Sequence, residues 1–527
     1  MEYEHTDRRI AAAHGRDAIL RAEKASTFSC VGTVAKHKNL GRAQIGFFLV
    51  ILLMGCSVGP DFTPPAPPDV ATYTPTPLPA STATAPTDLG GAQTFVEGAT
   101  VSAQWWRELG SSKLDVLIDE ALISSPTLAA ALATLGQVRE LYGSRADSTL
   151  YPQVDGSLGA QRQRFNPGTL GQAGDAQEFS IYNAGVGVRY SLDLSGGNRR
   201  ALEALAARID YQRYQLEGAR LMLAANIVTT AVTQARISKQ MEILENILRS
   251  QDEQLEITRE RVRLGQATPD DILALQIQVE QTRASIPLLR NQLQQNEHLL
   301  AVLVGRAPAE SGLPSFTLDD FTLPSDLPLV VPSELVRTRP DIQAAEALLH
   351  VANAEYGVAI AKLYPNLNLS ADLGSQALTT GALFGSGSAV WSLVGQLTQP
   401  LFNSGLPAEK RAALAAFDAA AANYRNVVLE ALRNVADVLR ALENDAQRLM
   451  ALSEANAAAQ KSLESMQRRY DLEAVSYYEL LTAQQQWQQT RNDLIQAQSQ
   501  RLVDSAAFYQ AMGGGFSFES TATAWPQ

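Results

Sequence analysis

RVRLGQATPDDILALQ, residues 261–276, has the form of a helical hairpin tip, and RYDLEAVSYYELLTAQ, residues 469–484, writes it again. At that fixed offset of 208 residues the two copies align without a gap over 261–305. Arg261, Leu264, Leu273, Gln276, Thr282, Arg283 and Gly305 meet Arg469, Leu472, Leu481, Gln484, Thr490, Arg491 and Gly513. A unit of this length is far longer than a solenoid repeat of about 20–50 residues. The chain is therefore a tandem duplication. Each half should be a whole structural unit, related to the other by a pseudo-two-fold.

Composition narrows the class. Of 527 residues, 46% are hydrophobic, 19% charged and 7% aromatic, with alanine and glutamine abundant, which suits long helices. A net charge of −12 argues against a nucleic-acid surface. The only cysteines are Cys30 and Cys56, so no disulfide framework is implied. His298 and His350 are the only histidines after residue 37, and no metal or cofactor is expected. GxSxG, HExxH and P-loop patterns are absent, so no enzyme is expected.

Lys36, Lys38 and Arg42 precede the apolar run IGFFLVILLM, Ile45–Met54. Ten residues are too few to span a bilayer as a helix, which takes about 20. The basic-then-apolar order reads as a secretory signal over residues 1–55. It ends in LMGC, Leu53–Cys56, with Cys56 either an incidental cysteine or an acylation site. Residues 1–35 read as an extended leader or a misassigned start. The Pro/Thr/Ala-rich segment 56–103 has no apolar period and reads as an extended strap.

No proline separates Pro167 from Pro269, and no glycine separates Gly405 from Gly513. Helices are expected from about Asn198 to Val262 and from about Pro407 to Tyr470. Their return partners carry apolar residues at 3–4 spacing, Leu275, Val279, Thr282 and Ile286 in one, Leu480, Trp487, Thr490 and Leu494 in the other. That spacing predicts antiparallel coiled-coil hairpins with tips at about 264–270 and 472–478. The second stripe decays into Arg501 and Asp504, where the seam must open or meet another surface.

Four segments switch to period two, at about 152–164, 179–194, 365–376 and 389–401. Each presents one apolar face, as a transmembrane β-strand must, although a sheet packed on helices reads the same way. The linkers RFNPGTLGQAGDAQE and QALTTGALFGSGS suit exposed hairpin loops. Two strands per half cannot close a barrel, and lipid does not tolerate an open edge. Symmetric assembly solves this, and a trimer would supply twelve strands.

In this order the motifs resemble the outer-membrane factor family of bacterial export machines, TolC and more closely its OprM/NodT-like lipoprotein branch. The resemblance covers Trp105 to Gly515. It rests on LMGCSVGPDF, LDVLIDEALISSPTLAAA, Tyr151–Pro152 and Tyr364–Pro365, RPDIQAAEALLHVANAEYGVAIAKLYPNL, QPLFNSG, and YQAMGGG. It implies a mainly α chain with a transmembrane β portion: a homotrimeric 12-stranded β-barrel on a long periplasmic α-helical barrel. The halves would be 104–305 and 339–513, joined by an equatorial linker at 306–338 and followed by a tail at 514–527. It implies acylation at Cys56, with Ser57 favouring export to the outer membrane of a Gram-negative cell. The partners implied are outer-membrane lipid, a periplasmic adaptor and an inner-membrane pump of the RND type. The function implied is a passive exit duct for drugs or other small molecules. A duct for type I protein secretion is the alternative, and a pore-less coiled-coil scaffold is a different class that the period-two segments oppose.

Two functional surfaces follow. The tips would dock the adaptor through Arg261, Leu264, Gly265, Ala267 and Thr268, and through Arg469, Leu472 and Ser476, with Glu473 where the family turn has glycine. Asp271 and Glu479 occupy one repeat position and would ring the periplasmic gate. Thr482 stands where some members carry a second acid. Both acids also read as the third residue of a helix capping box, so a structural role competes with the gate.

Overall fold

The structure, a computed structural model, describes residues 57–515 except 172, 311 and 473. The leader, Cys56, Glu473 and residues 516–527 therefore lie outside the described residues. In chain order the elements are β1 (Thr94–Glu97), α1 (Ser112–Ser124), α2 (Pro126–Leu150), β2 (Gln153–Phe165), β3 (Gln177–Leu192), α3 (Gly197–Arg263) and α4 (Pro269–Leu303). They continue as β4 (Asp326–Leu329), α5 (Pro332–Thr338), α6 (Pro340–Ala361), β5 (Asn366–Ala377), β6 (Ala389–Thr398), α7 (Gly405–Asp471) and α8 (Tyr477–Ala511). The chain is mainly helical and internally duplicated. Helices α3 and α7 each hold 67 residues, and α4 and α8 each hold 35. Every boundary of the second hairpin is that of the first moved by 208 residues. At about 1.5 Å rise per residue the long helices extend roughly 100 Å.

The helix ends repeat as well. Gly305 and Gly513 close α4 and α8 with φ of 78° and 88°. The next amides, Arg306 and Gly514, donate to Ala301 O at 2.9 Å and Tyr509 O at 2.9 Å. These are the six-to-one bonds of a Schellman stop, which needs a left-handed residue and so selects glycine. Among the described residues no single helix is long and apolar enough to cross a membrane.

Two compact units are present, and neither is one half of the duplication as the repeat suggested: each draws on both halves because the strands of the two halves pair in one sheet. The first takes in residues up to 65, 136–211 and 345–424. It is built on an antiparallel sheet of order β2-β3-β5-β6. The register puts Val154, Leu158, Val186, Val188, Leu369, Leu373, Trp391, Leu393 and Leu397 on one face. Asp155, Arg189, Asn183, Asn368, Asp372, Ser392 and Gln396 lie on the other. The apolar face is uncovered: Leu158 is 86% exposed and Trp391 78%. Strands β2 and β6 each have one partner, leaving an unpaired edge on each.

The segment that follows Cys56 is fixed within this unit. Val58 N–H donates to Ser195 O at 3.0 Å, and Gly59 (φ 95°) packs so closely on Gly357 that a Cβ would come within 2.8 Å of its Cα. Arg200 is buried and reaches Asp61 and Glu203 at 2.7 Å each, and it also donates to Val58 O and Gly59 O. His350 Nε2 lies 2.8 Å from Glu203, and its ring stacks on Phe62 at 4.3 Å. Burial pushes the Glu203 carboxyl up, but hydrogen bonds from His350 and Arg200 outweigh it and hold the group below its ordinary range.

The second unit takes in 66–135, 212–344 and 425 onward. Here the strap is more than a tether. Strands β1 and β4 pair in parallel, Thr94 opposite Asp326, and Thr82 and Gln93 are buried. The strap had no apolar period to announce this because it docks through polar groups. Arg501, fully buried on α8, donates from Nη2 to Gln93 Oε1 at 2.8 Å, Thr82 Oγ1 at 3.2 Å and Gly91 O at 3.3 Å. Gln93 Nε2 returns a bond to Ser505 Oγ at 2.9 Å, and Gln498 Nε2 donates to Thr87 Oγ1 at 2.9 Å. The apolar stripe of α8 therefore stops at Arg501 because the strap lies there. Trp105 stacks on Tyr509 at 5.5 Å, and Arg306 grips Glu120 at 2.6–2.8 Å.

Arg501→Ala would leave the buried Gln93 Oε1 without its Arg501 donor and take one bond each from Thr82 Oγ1, which keeps the Gln93 amide, and from the exposed Gly91 carbonyl, at a cost of about 2 kcal/mol. We expect faster proteolysis within residues 81–93 and a lower melting temperature. An unchanged cleavage rate would mean that Arg501 does not hold the strap.

Candidate functional site: the two hairpin tips

Each tip is a helix stop followed at once by a helix start. In the first, Gly265 (φ 73°) takes the left-handed position. Its N–H donates to Val262 O at 3.0 Å, and Gln266 N–H to Arg261 O at 2.8 Å. In the second, Ala474 N–H makes the matching bond to Arg469 O at 2.8 Å. The two turns thus share the six-to-one closure even though Glu473 replaces the glycine.

The restart is capped by the acids. Asp271 Oδ2 accepts from Thr268 N–H and from its hydroxyl, both at 2.8 Å. Glu479 Oε2 accepts from Ser476 N–H at 2.8 Å and its hydroxyl at 2.9 Å, while Glu479 N–H points at Ser476 Oγ at 3.4 Å. The Ser476 amide, then its hydroxyl, lower the pKa of Glu479. Both acids are therefore engaged as caps, with Pro269 at N1 in the first copy.

The two positions are equivalent in sequence but not in surroundings. Tyr477 is buried, and Tyr470 packs edge-on against it at 5.8 Å. The Arg261 guanidinium lies 5.4 Å from the Tyr470 ring centre, a cation–π contact that ties the first tip to the second. Burial first, then Tyr470 and the Asp271 carboxylate, push the Tyr477 hydroxyl up. Asp271 is thus half-buried beside this aromatic pair, whereas Glu479 is exposed. Leu255, Leu275, Val279, Tyr477 and Leu480 form the apolar core behind both tips.

Of the residues expected to form a docking surface, Leu264 and Leu472 are 59% and 79% exposed. Gly265, Thr268, Arg469 and Ser476 are also exposed, and Arg261 and Ala267 are half-buried. Sequence reasoning missed Tyr470 and Tyr477; the signal was an aromatic at each end of the second turn, where a loop usually has none. Above the tips, Gln251, Gln278, Asn456, Tyr477, Gln485 and Trp487 help line a slit of about 880 Å³.

A long duplicated hairpin scaffold, a sheet with one uncovered apolar face and blunt capped tips together describe a transport duct of the outer membrane. The sequence model of the family described as outer membrane efflux protein matches residues 117–306 and again 331–514, one match per half. The chain belongs to that family, whose members are efflux ducts rather than enzymes. The toluene efflux pump outer membrane protein TtgC of Pseudomonas putida is 30% identical over 480 residues, 90% of this chain and 95% of TtgC. The outer-membrane channel OprN superposes with a TM-score of 0.77 at 27% identity, covering 87% of this chain and 99% of that one. The open-state MtrE channel of Neisseria gonorrhoeae gives 0.73 at 26% identity, covering 87% and 98%.

The folded pKa of Glu479 is depressed, so its cap contributes fully above the ordinary value of 4.5 and is lost as pH falls through the lower folded value. Hydrogen exchange should show Ser476 amide protection that falls below pH 4.5, and Glu479→Gln should flatten that dependence. Thr268→Ala should loosen the first tip by about 1 kcal/mol. A pH-independent Ser476 amide would mean that the carboxylate is not its acceptor.

Proposed function

We propose that this outer-membrane efflux channel works as a homotrimer whose sheets close into a 12-stranded barrel, continued by a periplasmic barrel of α3, α4, α7 and α8. It serves as the passive exit duct for small molecules delivered by an inner-membrane pump through a periplasmic adaptor. One observation carries the reading. The four-stranded sheet has a continuous uncovered apolar face and two unpaired edges, and in lipid such edges must be closed. Three copies joining β2 to β6 close them. Helix α4 supports the assembly with a second apolar stripe of exposed residues, Leu273, Ile277, Leu288, Leu299 and Val302, facing away from its buried stripe.

Cys56 is the lipid anchor in this reading. The support is geometric: Ser57 sits against Gly196, just past β3, so an acyl chain on the preceding residue starts beside the helix-side end of the sheet. Acylation contributes about 0.8 kcal/mol per buried CH₂ and localises the chain, while barrel closure satisfies the strands. Cys56→Ala should abolish fatty-acid labelling and leave trimers intact; undiminished labelling would remove the anchor.

The tips dock the adaptor and form the gate. In a trimer, Asp271 and Glu479 would place six carboxylates at the periplasmic mouth, and acidic rings favour cations. Glu479, exposed, would carry more of the selectivity than Asp271. In planar bilayers the wild type should be cation-selective, and Asp271→Asn with Glu479→Gln should lower selectivity with little loss of trimer. Ala267→Trp should abolish compound resistance in a deletion strain at normal trimer yield. Selectivity and resistance both unchanged would place gate and docking elsewhere.

A further inference from the structure

The apolar face of the sheet ends differently at its two ends. Toward the helices it runs out through Tyr190 and Leu192 on β3. Toward the hairpin loops its last aromatic is Tyr182, opposite Ala160. Tyr182 and Tyr190 are eight residues apart on one strand, about 27 Å at 3.3–3.4 Å per residue, which a strand tilt of about 35–45° projects to roughly 20 Å, most of the apolar band of an outer-membrane barrel.

Beyond Tyr182 the same face carries two arginines in succession. The register sets Arg162 opposite Ser180 and Arg164 opposite Glu178, so both point to the side of Leu158 and Ala160. Arg162 Nη2 lies 3.1 Å from Glu178 Oε2, and Arg164 Nη1 lies 4.0 Å from Oε1. The side chains are 74%, 70% and 50% exposed. Ion pairs this exposed contribute little to stability. One carboxylate shared by two guanidiniums leaves a positive charge and most of their donors unused. The only other charged side chain between Arg162 and Glu178 is Asp175, on the loop beyond the strand ends.

We propose that Arg162 and Arg164 form a docking site for a lipid headgroup bearing a phosphomonoester, seated on the loop-side rim with its acyl chains against Tyr182 and the apolar face. The inference rests on the membrane-spanning reading of the sheet. A guanidinium pairs with phosphate in a planar, two-bond geometry. A monoester presents three terminal oxygens and up to two charges, enough to engage both arginines at once, and a diester presents fewer. Glu178 holds the two forks side by side until the phosphate displaces it.

The test is native mass spectrometry of the full-length protein in detergent, with phosphatidic acid or phosphatidylglycerol of identical chains. Wild type should retain the monoester about five-fold more than the diester, from the extra charge-assisted bonds. R162Q/R164Q should lose that preference, and Glu178→Gln should strengthen it. Equal retention of the two lipids by wild type would overturn the proposal, and this arm needs no variant to fold. A preference that survives in R162Q/R164Q would overturn it too. Complete displacement by inorganic phosphate would show a site for a free anion and overturn the lipid assignment. Failure of the protein to conduct in bilayers would instead count against the membrane-spanning reading itself.

Discussion

The rest of the structure depends on the backbone hydrogen bonds that β2 and β6 do not make. A sheet with an uncovered apolar face belongs in a medium without water, and there each unpaired N–H and C=O costs several kcal/mol. Four strands cannot curl onto themselves, so in the proposed channel the missing partners come from other copies. The polar face follows from the same constraint. With Asp155, Arg189 and Asp372 on the side opposite Leu158 and Trp391, closure in the other sense would put charges in lipid. In the proposed barrel the register therefore fixes which face turns inward.

Duplication extends this economy to the helices. Boundaries recur at 208 residues to the last position of each helix because the stop and start signals were copied with the chain. Gly305 and Gly513 still make the same left-handed stop. What diverged includes some of the turn itself: Glu473 stands at the repeat position of Gly265, and Tyr470 and Tyr477 at those of Val262 and Pro269. The second tip thereby gained an aromatic pair, and Arg261 of the first tip is drawn onto it.

Most of the fold was legible because its cues are local. Proline and glycine gaps bounded the long helices, and alternation marked all four sheet strands. The β1–β4 pair was not legible. TFVE and DLPL are four residues each, without a period, and they meet across more than two hundred residues. The polar docking of the strap was visible only as a defect, the charged Arg501 and Asp504 ending an apolar stripe. At the tips, the caps could be read from Thr268–Asp271 and Ser476–Glu479. The unequal exposure of the two acids could not, since it depends on where Tyr470 and Tyr477 pack.

That inequality bears on how a capping carboxylate could also serve the proposed gate. A cap uses one carboxylate oxygen to accept from the helix start, and here Asp271 Oδ2 and Glu479 Oε2 each take both bonds from their cap residue. In the proposed gate the second oxygen of each would be the one to face an ion. At Glu479 capping also favours the ionised carboxylate, the state that the proposed cation-selective mouth would require. Asp271 adds a constraint: it lies beside Tyr477 and Tyr470, and Tyr470 in turn carries the Arg261 contact. Moving the second tip away from the first would part Arg261 from Tyr470. The cation–π contact therefore sits where it would resist separation of the tips, and its modest strength, about 0.5–1 kcal/mol at an exposed site, is of the size that docking of the proposed adaptor could overcome.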